Sequence, residues 1–432
     1  MKTKLSMIRY KEILLVLCAV SLGFFLLQNA FYPLIFAVVF LLAHLFIHYR
    51  MPAVDPYMLP VVAFLTGIGL IVLLRLAPDL AALRSETIAS VLRNNPGMRI
   101  RDNVSLLSQL GLKQLTNMVG GVLLLLAAFT VSSRRVLVWC ASKKYLWAFC
   151  AVVLVVITMI YGTEINNRRL WLFGFQTVEL VKLFALFFIA GYLDERGRGI
   201  EIYRQGNLSS WIKNAGPYFV VFILILLVLF LQKDLGPAFL LFLVFLLMIH
   251  AAGNRKAITL AFLCVVLLAG FVAYQTGFPS IVRTRFDAFL DPFGTSESMT
   301  RVLWSLAAGG VWGVGLGAGQ AYRIPEVQSD FNFTAICEEI GFGGGLAVVI
   351  MYLVFFYRCL AMSRRIDHGF EKALLVGVGT LTMTQALIII AGNLGIIPLT
   401  GITLPFVSYG GSSLVINFIM AGIALRISTR TT

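Results

Sequence analysis

Apolar residues in this chain come in long, nearly uninterrupted runs, and polar and charged residues gather between them. A helix that crosses the hydrocarbon core of a bilayer needs about 20 such residues. The runs predict about twelve spans, over 12–29, 31–48, 57–75, 117–132, 145–161, 173–192, 216–232, 235–251, 257–276, 336–357, 373–391 and 404–425. The expected fold is an all-α polytopic membrane protein. Its first two spans read as an N-terminal hairpin (1–56) joined to a core (57–432). Two connections are long, 76–116 and 277–335, and both fall on the outer side if the N-terminus lies inside. Long connections in a compact protein are usually functional or disordered. The apolar content of the second, with Trp304 and Trp312, predicts packing.

Composition sharpens the picture. Hydrophobic residues make up 59% of the 432 and charged residues 13%, against about 25% charged in soluble domains. An ordinary soluble enzyme and a disordered chain are excluded. Lys2, Lys4, Arg9 and Lys11 precede the first run, and no small-residue cleavage site follows, so a retained first span is expected. The net charge is +15. With both termini cytoplasmic, 21 basic residues fall inside and 12 outside, leaving Lys182 and Lys233 in or at the membrane. That bias satisfies the positive-inside rule. Charges lying between spans point to anionic membrane lipid or an anionic membrane substrate, not to nucleic acid.

The six cysteines are scattered, with no CxxC, and read as small packing residues. His44 and His48 have a zinc-compatible spacing but no third ligand nearby, so they read as helix residues near an interface. Ionisable groups at membrane depth are costly and mark candidate sites. Glu179 and Lys182, three apart, share one helix face. They form either a structural ion pair or a substrate contact. Asp234, before Leu-Gly-Pro, reads as a helix cap or a catalytic group. Asp330 stands at the outer entry of a helix, where it or Ser329 could cap; an interfacial carboxylate there also suits general-base work. Glu338 and Glu339 follow in the same helix. The glycines from Gly309 to Gly319 lack a preceding strand and a Gly-Lys-Ser/Thr, so a nucleotide loop is a poor reading and close backbone packing a better one. Ser408-Tyr-Gly-Gly-Ser-Ser413 combines small residues for close helix approach with Ser408 and Ser412 hydroxyls for a polar groove.

Several motifs occur in order: Phe175-Gln-Thr-Val-Glu-Leu-Val-Lys182, Gln232-Lys-Asp-Leu-Gly236, Asp291-Pro292, Ala308-Gly-Gly-Val-Trp-Gly-Val-Gly-Leu-Gly317, Ile324-Pro-Glu-Val-Gln-Ser-Asp-Phe331, Glu338-Glu-Ile-Gly341 and Leu404-Pro-Phe-Val-Ser-Tyr-Gly-Gly-Ser-Ser-Leu414. Together they resemble the SEDS family (shape, elongation, division and sporulation), the FtsW/RodA/SpoVE group, over roughly 57–428. The resemblance implies a ten-helix core behind the N-terminal hairpin. It implies a peptidoglycan glycosyltransferase that polymerises lipid II at the outer face of the plasma membrane, in complex with a class B penicillin-binding protein. The family's essential Asp falls on Asp330. Its Glu and Lys fall on Glu179 and Lys182, its arginine before that helix on Arg169, and its Asp-Leu-Gly aspartate on Asp234. The chain departs from the family at Thr177-Val178 and Lys233, which replace Pro-Ser and Pro. It is also shorter after Asp291-Pro292.

Lipid II carries a sugar on a polyprenyl diphosphate, itself a good leaving group. One carboxylate base therefore suffices for an inverting displacement. Arg169, Lys182 and Arg323 are the candidate cations for the diphosphate. Glu338, Glu339, Ser408 and Ser412 complete the candidate substrate-binding set. Mg²⁺ or Mn²⁺ is an expected aid, without a dedicated site in the sequence, and no organic cofactor is expected. Two other readings stay open: a transporter of lipid-linked precursors, and a weakly active scaffold for a penicillin-binding protein.

Overall fold

A computed structural model describes residues 31–94, 104–165, 168–197, 222–227, 229–232, 234–253, 270–277 and 280–430, with the single positions 13, 16, 17, 20, 260, 264 and 268. The expected span 12–29 lies largely outside these residues, and half of 257–276 does. The main helices are α1 (Phe31–Arg50), α2 (Met58–Asn94), α3 (Leu110–Val131), α4 (Arg134–Ser142), α5 (Lys144–Tyr161), α6 (Thr177–Gly197) and α7 (Leu235–Gly253). They continue with α8 (Ser280–Leu290), α9 (Glu297–Gly309), α10 (Asn332–Ser363), α11 (Gly369–Asn393) and α12 (Gly411–Ser428). Seven described helices are long and apolar enough to cross a membrane: α1, α2, α3, α5, α10, α11 and α12. Shorter apolar helices occupy Phe222–Leu231 and Leu235–Ala251. The chain is an all-α polytopic membrane protein.

The stretch 76–116 is not the long loop the hydropathy predicts. α2 runs on past Arg75 and through Pro78 to Asn94, and α3 begins at Leu110. A charged residue at a span's edge ends the predicted helix, yet here the charge is answered. Arg75 donates to Asp79 one turn on (2.5 Å) and to the Gly317 carbonyl (2.6 Å). The following residues are rich in Ala, Leu and Arg, which favour helix. At 1.5 Å per residue the helix is about 55 Å long. That exceeds the roughly 30 Å hydrocarbon core, so it extends beyond the bilayer. Asp55 starts it, accepting from the Tyr57 and Met58 N–H groups at 3.0 and 3.1 Å.

The span expected from 173 also starts later. A small antiparallel sheet precedes it: β1 (Thr163–Ile165), β2 (Arg168–Leu172) and β3 (Phe175–Gln176). Phe173 and Gly174 turn between β2 and β3 with φ of 51° and 77°, a hairpin turn whose twist matches its strands. The helix then begins at Thr177. Apolar content alone cannot separate a short hairpin from the first turn of a span.

The second long connection is ordered into α8, α9 and a glycine-rich loop, but Trp304 and Trp312 face outward, contrary to the packing expected of them. The loop lies against a break in α10. Gly341 leaves helical geometry there (φ 80°, ψ −173°). The freed backbone groups are satisfied: Val314 and Gly315 donate to the Glu338 and Glu339 carbonyls (2.9 and 3.0 Å), and Phe342 donates to Gly310 (3.0 Å). A Cβ on Gly341 would collide with the Gly313 amide and the Val311 carbonyl. Gly341→Ala combines that clash with a positive φ, and about 2 kcal/mol or more of destabilisation is expected. Thermal unfolding in detergent checks it; an unchanged midpoint would show that the break is not locked.

Candidate functional site

The centre of the molecule is the non-helical segment Leu399–Tyr409 between α11 and α12. Its backbone polar groups need partners, and they find them on distant elements. The Thr400 carbonyl accepts from Arg285 Nη1 of α8 (2.8 Å). The Thr403 carbonyl accepts from Gln385 Nε2 of α11 (2.7 Å). The Pro405 carbonyl accepts from the Tyr352 hydroxyl of α10. The Ser408 carbonyl accepts from Gln114 Nε2 of α3 (3.3 Å), and the Tyr409 amide donates to Gln328 beside Asp330 (2.8 Å).

Asp330 sits at one side of this segment. It does not cap α10: the N-cap position is Phe331, without a side-chain bond. Its main chain is held instead. The Asp330 amide donates to Glu326, and the Asp330 carbonyl accepts from Asn393 Nδ2 (2.9 Å). Thr334 Oγ1 in turn donates to Asn393 Oδ1 (3.0 Å). Desolvation pushes the Asp330 carboxyl up to about 6; a Ser329 hydrogen bond lowers it, Glu326 raises it and Arg285 lowers it. A Cβ placed on Gly401 (φ 68°) would lie 3.0 Å from Arg285 Nη2 and 3.7 Å from Asp330 Oδ2. The side-chain-free glycine therefore lies open beside both groups. A carboxylate tuned towards neutrality, beside a guanidinium, has the make-up of a general base next to an anion contact.

Glu179 and Lys182 reach the segment through Gln385 and are closed in. Lys182 Nζ is 2.6 Å from Glu179 Oε2, and donates to Gln385 Oε1 at 3.0 Å. The residues are 4% and 2% exposed. Of the two readings of this pair, the structural one describes the geometry; Lys182 is committed to its partners. Gln385 links it to Thr403, whose hydroxyl donates to Ser413 Oγ (2.8 Å). Ser412 Oγ accepts from the Gln176 amide (2.9 Å), tying α12 to β3, while Ser408 Oγ closes its own turn by accepting from Leu404 (3.0 Å). Both hydroxyls brace backbone instead of lining a groove. Asp234 is buried immediately before α7. Its neighbour Gly236 lies where a Cβ would come within 2.5 Å of the Thr400 carbonyl. Lys233 lies outside the described residues.

Arg169 is in β2, half-exposed, 3.4 Å from Glu164 and donating to the Ile160 carbonyl (3.1 Å) at the end of α5. It serves its own hairpin. Glu338 accepts from the Gln320 amide (2.9 Å), and Glu339 lies 3.7 Å from Arg75; these two carboxylates hold the glycine-rich loop. Glu338 and the exposed Arg323 also line a surface cleft of about 860 Å³ with Thr300, Arg301, Trp304 and Gln320. Arg301 donates to the Arg323 carbonyl (2.7 Å). Among the described residues, no three His, Cys, Asp or Glu side chains converge to hold a metal. Arg285, Asn393, Gln385 and Arg75 carry no signal in the sequence that marks them as site residues. Arg285 is one of several arginines in the 277–335 connection, and only the fold brings it to Gly401 and Asp330.

The structure is thus a bundle of long apolar helices in which Asp330 lies beside an internal extended segment. The Cell cycle protein family of FtsW, RodA and SpoVE matches residues 100–432, and the chain belongs to it. It is 29% identical over 411 residues to the peptidoglycan glycosyltransferase RodA of Mycobacterium tuberculosis (strain H37Rv), covering 92% of this chain and 82% of that protein. It is 30% identical over 314 residues to stage V sporulation protein E of Bacillus subtilis (strain 168), covering 70% and 83%. Its fold is similar to that of Thermus thermophilus RodA, with TM-score 0.59 at 22% identity over 88% and 97% of the chains. It is similar also to a chain of a peptidoglycan synthase complex, with TM-score 0.60 at 23% identity over 82% and 96%.

Proposed function

We propose that the chain is a peptidoglycan glycosyltransferase that polymerises lipid II at the outer face of the plasma membrane, with Asp330 as general base. One observation carries the reading: the Asp330 carboxyl is spared from capping, raised to about 6 and set beside Arg285. The relatives named peptidoglycan glycosyltransferases support the reaction class. In the proposed step Asp330 takes the proton of the acceptor's 4-hydroxyl as that oxygen attacks C1 of the donor sugar. The C1–oxygen bond to the diphosphate breaks, the leaving diphosphate keeps the electron pair, and the configuration at C1 inverts. Arg285 is the cation best placed to orient the anion, with the exposed Arg323 at the surface cleft. Among the described residues no cluster of carboxylates or histidines builds a site for Mg²⁺ or Mn²⁺, and the proposed step is not routed through a metal. The closed Glu179–Lys182 contact favours synthesis over transport, because a translocation path needs such charges accessible. The inner excess of basic residues supports cytoplasmic termini. The synthase complex among the similar structures supports a class B penicillin-binding protein as partner.

The purified full chain, reconstituted with lipid II and such a partner, should produce glycan strands; no polymer with or without the partner would sink the assignment. The rate should depend on pH. A base with a carboxyl near 6 is charged above that value and protonated below it. Polymerisation is therefore expected to rise from pH 5 to 7 with a midpoint near 6. Arg285→Gln removes the positive charge that lowers the Asp330 value, so its midpoint should move upward. A flat profile from pH 5 to 8 would count against Asp330 as the base.

A further inference from the structure

At the end of the bundle where α1, α3 and α12 terminate, two arginines stand without counter-charges among the described residues. Arg430, nearby, is answered by Glu371 and by the Ser132 carbonyl. Among the described residues neither Arg50 nor Arg426 has a carboxylate within ion-pair distance. The like charges of Arg430 and Arg50 both act on Arg426, and its Nε is buried without an acceptor. Each guanidinium lies over an aromatic ring: Arg50 over Phe46 at 5.9 Å and Arg426 over Phe129 at 5.5 Å.

Those rings connect the arginines to an apolar groove of about 740 Å³ between α1 and α3. Phe46 lines it with Val39, Leu42, Val119, Leu123 and Leu126, and Phe129 lies one helical turn beyond Leu126 on the same face. The groove walls are apolar and partly exposed at membrane depth, with Leu42 and Leu123 about 60% exposed. α1 also lies ahead of the residues that match the family. An apolar trough with Arg50 over its lining ring Phe46 and Arg426 close enough to act on Arg50 matches one kind of molecule, acyl chains joined to an anionic phosphodiester head group. Guanidinium forks bind phosphate oxygens bidentately, and basic pockets between membrane helices take anionic head groups.

We propose that the α1–α3 groove is a binding site for one anionic phospholipid, its chains along Leu42 and Leu123 and its phosphate between Arg50 and Arg426. The site cements the N-terminal helix to the core through lipid.

Native mass spectrometry of the full-length protein, delipidated in detergent and titrated with phosphatidylglycerol or phosphatidylcholine of the same chains, tests this. Wild type should bind phosphatidylglycerol at least about tenfold more tightly, given the contribution of each cation near a phosphate. Arg50→Gln with Arg426→Gln should erase that preference, bringing phosphatidylglycerol binding down to the level of phosphatidylcholine. Arg50→Gln alone, on an exposed helix end, should reduce the preference about threefold to fivefold, so the test survives if the double variant does not fold. Leu123→Trp, filling the groove, should weaken both lipids. Equal binding of the two lipids by wild type, or full preference in the folded arginine variants, would overturn the proposal. Displacement by a polyprenyl phosphate at lower concentration than phosphatidylglycerol would overturn it too, assigning the groove to an isoprenoid carrier.

Discussion

Lys182→Met is expected to lower stability by about 3–5 kcal/mol, the range for breaking a buried ion pair by removing one partner. The residue is 2% exposed and 2.6 Å from Glu179, itself 4% exposed. Methionine fills the volume but strands the Glu179 carboxylate among apolar side chains, where an isolated charge is expensive. It also removes the donor to Gln385. Glu179→Met combined with Lys182→Met removes both charges and should recover much of the loss, because a buried pair is often no better than well-packed apolar residues. Thermal unfolding in one fixed detergent measures the effect. A single variant as stable as wild type would mean that Glu179 is neutral or solvated in the folded protein. The double variant also separates a structural role from a substrate contact. If it is stable and polymerises normally, the pair is structural; if it is stable and inactive, Lys182 also meets substrate.

Asp330→Asn is expected to lower polymerisation at least about 100-fold, since a positioned general base contributes roughly 10²–10⁴. Asparagine keeps the shape of the side chain but cannot accept the proton. Folding should be unaffected, because Asn393 holds the Asp330 main chain and not its carboxylate. The sign of any stability change follows from linkage. A carboxyl at about 6 when folded, against an ordinary value near 4, binds protons more tightly in the native state. The ionised form therefore costs stability, progressively as pH rises between those two values. At pH 7 the neutral asparagine should leave the protein no less stable than wild type, the trade of stability for function seen at active sites.

Much of this arrangement is legible in the residues. Apolar runs locate α1, α3, α5, α11 and α12, because a bilayer demands about 20 such residues whatever their partners. Spacing puts Glu179 and Lys182 on one face, while Asp330 is singled out by the resemblance to the SEDS family and not by its position alone. The glycines before Gly319 read as close backbone packing, and they dock on the break at Gly341. What the residues alone do not reveal is set by tertiary partners. α2 continues past Arg75 because Gly317, 242 residues on, accepts from its guanidinium. That Arg169 lies against Glu164 follows only from the β1–β2 pairing. Arg285 gains its role only from Thr400, 115 residues away. The Leu399–Tyr409 segment overlaps the Leu404–Leu414 motif, but the part its carbonyls play in joining distant elements is nothing a side-chain pattern reveals.

The most direct test is the time course of glycan formation from lipid II by wild type and Asp330→Asn at pH 7, with the same partner and with unfolding midpoints measured alongside. Strands are expected from wild type, and none above about one hundredth of that rate from an equally stable variant. Strands formed at the wild-type rate by Asp330→Asn would contradict the role of Asp330 as the base.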